Sequence, residues 1–236
     1  FGTVILDVDK KMTDLKKVMS EDTDFGAIFE QATVSAETFG KTISETLDAY
    51  NMFAKQGYKG DELQTLANAG LVAGNVGDIE AGKASEYLTA SLLQWNKESS
   101  EAMGVVDGWN EISNNFATTV ENLAQGQAKA GATAKALGMD FDQLNAVVGT
   151  LNARTKQSGN EIGNFIKSTF SNVLSNKGRD VLAGLGVELE NADGTMRDIM
   201  QVYKEVAIEY KNLNQAEQNQ VVLGLGGKYH VARLQT

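Results

Sequence analysis

Histidine, cysteine, clustered carboxylates and glycine-lysine loops are the usual raw material of a chemical site, and this chain is poor in the first two. It has one histidine, His230, and no cysteine. That excludes disulfides, thiolate nucleophiles and cysteine-based zinc or iron–sulfur centres. With a single histidine there is no HExxH helix, and a Ser/His/Asp arrangement would have to use a residue at the far end of the chain. Gly40-Lys41-Thr42 has the tail of a phosphate loop. The glycine required five positions earlier is Ser35, however, and the segment reads as mid-helix, where amides are not free to meet phosphate. Gly224-Leu225-Gly226-Gly227-Lys228 follows a helix and continues into Tyr229, so it reads as a helix break. Asn191, Asp193 and Thr195 occupy the first three ligand positions of a calcium loop, but the twelfth is Val202 where a bidentate glutamate belongs. A turn is the better reading. Asp140 and Asp142 read as charges at a helix start. The expectation is a non-enzyme with no catalytic, cofactor-binding or metal-binding residues.

Composition says what must position anything else. The chain has 236 residues, no proline and 24 glycines, where average usage would supply roughly a dozen prolines. Proline inside a helix costs about 3 kcal/mol, and glycine about 1 relative to alanine. A chain that avoids the first and tolerates the second reads as all-α. The net charge of −10 leaves no clustered cations for phosphate backbones, which argues against nucleic-acid binding. No window approaches 18 apolar residues, and the opening FGTVILDVDKK lacks the pattern of a signal peptide. Phe1 is not an initiator and VARLQT ends in helix-compatible sequence, so the chain reads as a segment of a longer protein.

Apolar spacing of three and four predicts one helix of about 30 residues from Asp24 to Ala54. Gly57 and Gly60 stop it. A short helix follows through Leu63, Leu66 and Leu71, ending near Gly74 to Gly77, and another runs from Asp78 to Trp95. Phe116, Val120, Leu123, Ala130, Ala134 and Leu137 mark a long helix closed by a left-handed Gly138. Capping boxes at Asp140/Gln143 and Ser158/Glu161 open helices whose apolar faces carry Leu144, Val147, Val148 and Leu151, then Ile162, Phe165, Ile166, Phe170 and Val173. Asn176 to Gly184 is a short helix. Val187 to Leu189 with the turn Asn191 to Gly194 suggests a small hairpin near 187–195. Thr195/Asp198 and Asn214/Glu217 cap two last helices. Trp95 reads as the anchor of a helix end, and Trp109 as a staple at the start of the long central helix.

The expected organisation is a lead-in at 1–23, helical units at 24–103 and 104–184, and a closing segment at 185–236. The two units resemble each other: Ala54-Lys55 before Gly57 and Asp61-Glu62-Leu63 parallel Ala134-Lys135 before Gly138 and Asp142-Gln143-Leu144. This reads as a degenerate duplication of a multi-helix bundle. The polar faces lack the Lys/Arg enrichment of membrane-surface helices, so self-association is expected rather than a lipid surface.

The run Asn114-Asn115-Phe116-Ala117-Thr118-Thr119-Val120-Glu121-Asn122-Leu123, then Ala134 to Gly138, then Ser158 to Gly163, resembles the core region of tail tape measure proteins of long-tailed bacteriophages. Leu185 to Leu189, Asp193-Gly194, Leu213 to Glu217 and Gly226 to Arg233 are similar to that region's closing pattern. The stretch Gly163 to Phe165 departs from the family. The resemblance is best over 105–236 and looser over 24–100. It implies a phage or prophage virion protein of the tail lumen, made in the host cytoplasm, that sets tail length in assembly and leaves ahead of the DNA. It also implies tail tube, tail tip and assembly chaperone proteins as partners. The alternative is a non-viral helical interaction or secreted scaffold module. One uninterrupted helix of this length would reach about 350 Å; the glycine breaks favour a folded module of roughly 18 Å radius of gyration.

Overall fold

Helices in this chain start where a side-chain oxygen meets the free amides of a first turn. Asp24, Thr42, Asp140, Ser158, Ser175, Asp198 and Asn214 all act this way, each satisfying donors that the helix itself leaves unpaired. The computed structural model describes residues 2–227, and among them are twelve α-helices and no strands. The fold is all-α, as expected. The only extended pairing among the described residues is a single antiparallel bridge, Glu190 to Met196, which reduces the expected hairpin to a tight turn.

The chain forms two compact units. The first takes the described residues through Asn115 together with Thr119–Ala124, and the second takes Phe116–Thr118 and Gln125 onward. In the first unit, α1 (Gly2–Val18), α2 (Phe25–Phe39), α3 (Ile43–Lys55), α4 (Gly60–Gly77) and α5 (Ala81–Trp95) precede a 3-10 turn (Ser99–Glu101) and α6 (Ala102–Asn115). Helix α3 packs against α1, α2, α4 and α5, and its Leu47, Tyr50 and Phe53 have no exposed surface. Asn51 ties α1 to this centre by donating to the Lys11 carbonyl at 3.0 Å, and Lys11 pairs with Asp48.

The expected 30-residue helix is two helices. Gly40 ends α2 with φ +65°, and Thr42 begins α3 in a capping box with Glu45. Apolar spacing cannot register this break, because Phe39 and Ile43 lie four apart and stay in phase across it. The Thr42 backbone amide and hydroxyl both donate to Glu45, at 2.9 and 2.7 Å, and hold its carboxyl below the ordinary glutamate range. A depressed carboxylate stabilises the fold fully above its unfolded pKa and loses that contribution as pH falls through the folded value. Thr42→Ala is therefore expected to cost about 1 kcal/mol near neutrality. The deficit should shrink when denaturant melts are repeated at acid pH.

Helix α4 runs 18 residues and ends at Gly77, within the expected range, with Gly70 and Gly74 inside it. A β-carbon at position 70 would sit 2.2 Å from Ser85 Oγ, so that glycine serves the approach of α5 and does not end the helix. Glycines 104 and 108 likewise lie inside α6. Gly104 is exposed, with nothing within 4 Å of an added β-carbon. Gly104→Ala is expected to raise stability by about 0.5–1 kcal/mol, read as a shifted urea midpoint with an unchanged slope.

Helix α7 (Val120–Ala136) does not include Phe116. That residue lies in the non-helical link after α6 and is 59% exposed, and Thr119 begins α7 by accepting from the Asn122 amide. The second unit continues with α8 (Phe141–Thr155), α9 (Gly159–Leu174), α10 (Asn176–Gly184), α11 (Ile199–Tyr210) and α12 (Gln215–Leu225). Gly138, at φ +81°, closes α7 by passing the Met139 amide back to the Ala134 carbonyl. Gly57 closes α3 in the same way, with Tyr58 bonded to Phe53. Gly126 of α7 and Gly163 of α9 meet backbone to backbone, a β-carbon at 163 falling 3.1 Å from the Gly126 carbonyl oxygen. Gln127 is buried beside them and donates to the Phe141 carbonyl and to Asn145 Oδ1.

Candidate functional site

The residues singled out by type resolve into helix termini and turns. Gly40-Lys41-Thr42 is the α2–α3 turn just described, not the middle of a helix, and Thr42 is engaged with Glu45. Asp140 caps α8 in its box with Gln143. Asp193 accepts from both the hydroxyl and the amide of Thr195, at 2.6 and 3.0 Å. Those two donors hold its carboxyl below the ordinary range, and Asn191 also bonds Thr195. The acid is thus spent on a turn. Thr195 consequently does not cap α11; Asp198 does, accepting from the Met200 and Gln201 amides. Gly224 lies in α12, while Lys228 and His230 fall outside the described residues. Trp95 ends α5 and is buried. Trp109 lies mid-way along α6 with 1% exposure, in the core and not at a helix start. Among the described residues no three acidic or histidine side chains converge as a metal set, and no helix is long and apolar enough to cross a membrane.

What these helices do build is an apolar groove. Helices α8, α9 and α11 enclose about 570 Å³. Phe165, Ile166 and Phe170 of α9 contribute its buried surface; Val147 and Leu151 of α8 and Tyr203 of α11 flank them, half-buried. The Phe170 and Tyr203 rings lie 5.8 Å apart between centroids. The Thr169 and Tyr203 hydroxyls are buried in this lining without a hydrogen-bond partner, and burial pushes the Tyr203 phenol above its ordinary pKa. Lys204 is the one charged residue of the lining.

The apolar spacing of α8 and α9 identified Val147, Leu151, Phe165, Ile166 and Phe170 as inward-facing. It could not show that α11 stops short of covering them. An unpaired buried hydroxyl costs about 1–3 kcal/mol. Tyr203→Phe is therefore expected to stabilise the isolated chain by about 1 kcal/mol, measured as a raised urea midpoint.

Residues 30–227 match the family described as phage-related minor tail protein. The chain belongs to this family. The match runs from α2 to the residue after Gly226, so it takes in both units and the α8/α9/α11 groove. No solved structure matches the chain. Membership makes the chain a structural component of a phage tail, in contact with other tail components.

Proposed function

We propose that this chain is the folded helical region of a tail tape measure protein, which sets tail length during assembly and leaves the tail lumen when the genome is ejected. The observation that carries the reading is the family match over 30–227, together with the ordered motifs that resemble tape measure cores within the same span. Charge supports it: a protein packed into the conduit of DNA should not bind phosphate, and −10 over 236 residues opposes such binding. In this reading the chain acts through contacts with tail tube, tail tip and chaperone proteins and with its own copies, and carries no reaction. The helices here are no longer than 18 residues among the described residues, at most about 27 Å. Short helices support the reading of this region as a folded module and not as a continuous ruler rod.

The test is an in-frame deletion of residues 24–227 from the full gene, with tails measured by electron microscopy. Loss of tails, or tails of altered length, is expected. Particles with tails of normal length that deliver DNA normally would overturn the proposal.

A further inference from the structure

We propose that α1 is an exchangeable arm, through which two copies of this chain associate by each laying its α1 on the α3 of the other. The inference names a surface for contact between copies, and it stands on the α1–α3 pair and not on the tape measure reading. The two helices run side by side in the same direction. The Ser44 hydroxyl donates to Asp7, Lys11 pairs with Asp48, and the Asn51 side chain donates to the Lys11 carbonyl at 3.0 Å. One turn further on, Asp14 lies in the field of Lys55: its carboxyl is held below the ordinary range first by Lys17 and then by the charges of Lys10 and Lys55. Ser44, Asp48, Asn51 and Lys55 follow helical spacing and form one stripe of α3. The seat is thus a polar ladder of hydroxyl, carboxylate, amide and ammonium, and α1 presents the complement in matching order. Such a ladder fixes both the register and the identity of the helix it accepts.

Little apolar surface holds α1 to its own chain. Leu15 and, just past the helix, Met19 are its buried side chains, whereas Val4, Ile5 and Leu6 in its first turns are exposed. The register accounts for this. Asp7 stands against Ser44, the second residue of α3, so the residues ahead of it run past the start of that helix. Helix α1 packs mainly on α3, and the polar link Ser20-Glu21-Asp22-Thr23 that leads to α2 is exposed or half-buried. That link is turned by the Thr23 amide bonding the Ser20 carbonyl at 3.1 Å. Opening it carries α1 away as a unit. An α1 arriving from a second copy remakes every contact named above, including Lys16 over the Phe25 ring, which is why exchange of an identical element is a low-cost route to a dimer. A foreign helix with a different order of charges would leave Asp48 unpaired or facing like charge. The family match begins at residue 30, so the seat on α3 lies inside the shared span and the arm ahead of it.

Charge reversal on the two sides of the ladder tests the exchange. In Lys11→Asp the arm and its own seat both carry a carboxylate; in Asp48→Lys both carry an ammonium. Each variant of the 236-residue chain should sediment as a monomer with its helical circular dichroism retained. Mixed in equal amounts, the two should form a one-to-one dimer, because only exchange pairs Lys11 with Asp48 and the introduced aspartate with the introduced lysine. The chain has no cysteine, which allows a second measurement that does not depend on those variants. Asp7→Cys with Ser44→Cys puts one thiol on the arm and one on the seat. Oxidation after incubation at high concentration should join two chains on a non-reducing gel, and oxidation of dilute protein should close the bond within one chain. A mixture that stays monomeric overturns the proposal. Disulfides confined to single chains at every concentration overturn it too, and if the parent nonetheless dimerises they assign self-association to another face. Neither measurement involves tail assembly, so its failure is distinct from failure of the tape measure reading.

Discussion

Replacing Gly178 with alanine is expected to destabilise the protein by about 3 kcal/mol or more, although alanine is the better helix former by about 1. Gly178 is the third residue of α10, and a β-carbon there would lie 2.0 Å from the Asn172 carbonyl oxygen and 2.8 Å from Val173 Cα. Both are backbone atoms of the last turn of α9, so no side-chain rotation relieves the overlap. The same Asn172 carbonyl accepts the Ser175 amide and hydroxyl, at 3.0 and 2.6 Å, and the Asn172 side chain donates to the Leu225 carbonyl of α12. Displacing it would therefore loosen the joint between α9 and α10 and the seat of α12 together. Urea denaturation followed by far-UV circular dichroism is the appropriate measurement, since neither tryptophan lies in this unit. Stability equal to the parent would show that the α9–α10 joint opens freely. Gly104→Ala, with the opposite expected sign, is the internal control.

Trp109→Ala should cost about 3–5 kcal/mol, the range for removing a large aromatic from a packed core. Trp109 is among the largest fully buried side chains of the protein, and Ala102, Val105 and Val106 of the same helix are buried with it. A typical domain is stable by about 5–15 kcal/mol, so this one substitution removes a large share. Trp95 belongs to the same unit, and its emission in the variant reports the transition directly. A deficit below about 1 kcal/mol would mean that the surrounding helices collapse into the cavity or that Trp109 is a surface residue in solution. Truncating an exposed apolar residue such as Leu93, 60% exposed, gives the comparison, expected within about 0.5 kcal/mol.

The contrast between Gly178 and Gly138 shows where sequence reading stops. Gly138, after α7, is required by a positive φ, and Gly178, in the first turn of α10, by a close approach. Only the former follows from local chain geometry. Capping boxes were legible for the same reason. Ser158 with Glu161, Asp140 with Gln143 and Asn214 with Glu217 satisfy amides within three residues, so no distant partner is needed. The break at Gly40 also had its local signal, the Thr42/Glu45 box, but the in-phase step from Phe39 to Ile43 hid it. Thr195 carries the residue type of a cap but does not act as one, because Asp193 takes its hydroxyl into the turn and Asp198 takes over the helix start. Glycines 70 and 104 sit inside helices at a cost of about 1 kcal/mol each, the first set against the close approach of α5 and the second in open space.

By itself the sequence determined an all-α chain, most of its helix boundaries, its acidic surface and its lack of the residues for thiol or paired-histidine chemistry. These are properties of composition and of contacts a few residues long. Tertiary structure alone decided that Trp109 is core, that Gly178 cannot carry a methyl group, and that Val147, Phe165 and Tyr203 share one groove with Lys204 at its edge. The groove joins three separate helices, and the Gly178 overlap depends on how α10 folds back on the last turn of α9. Helical periodicity states which face turns inward but not what, if anything, arrives to cover it.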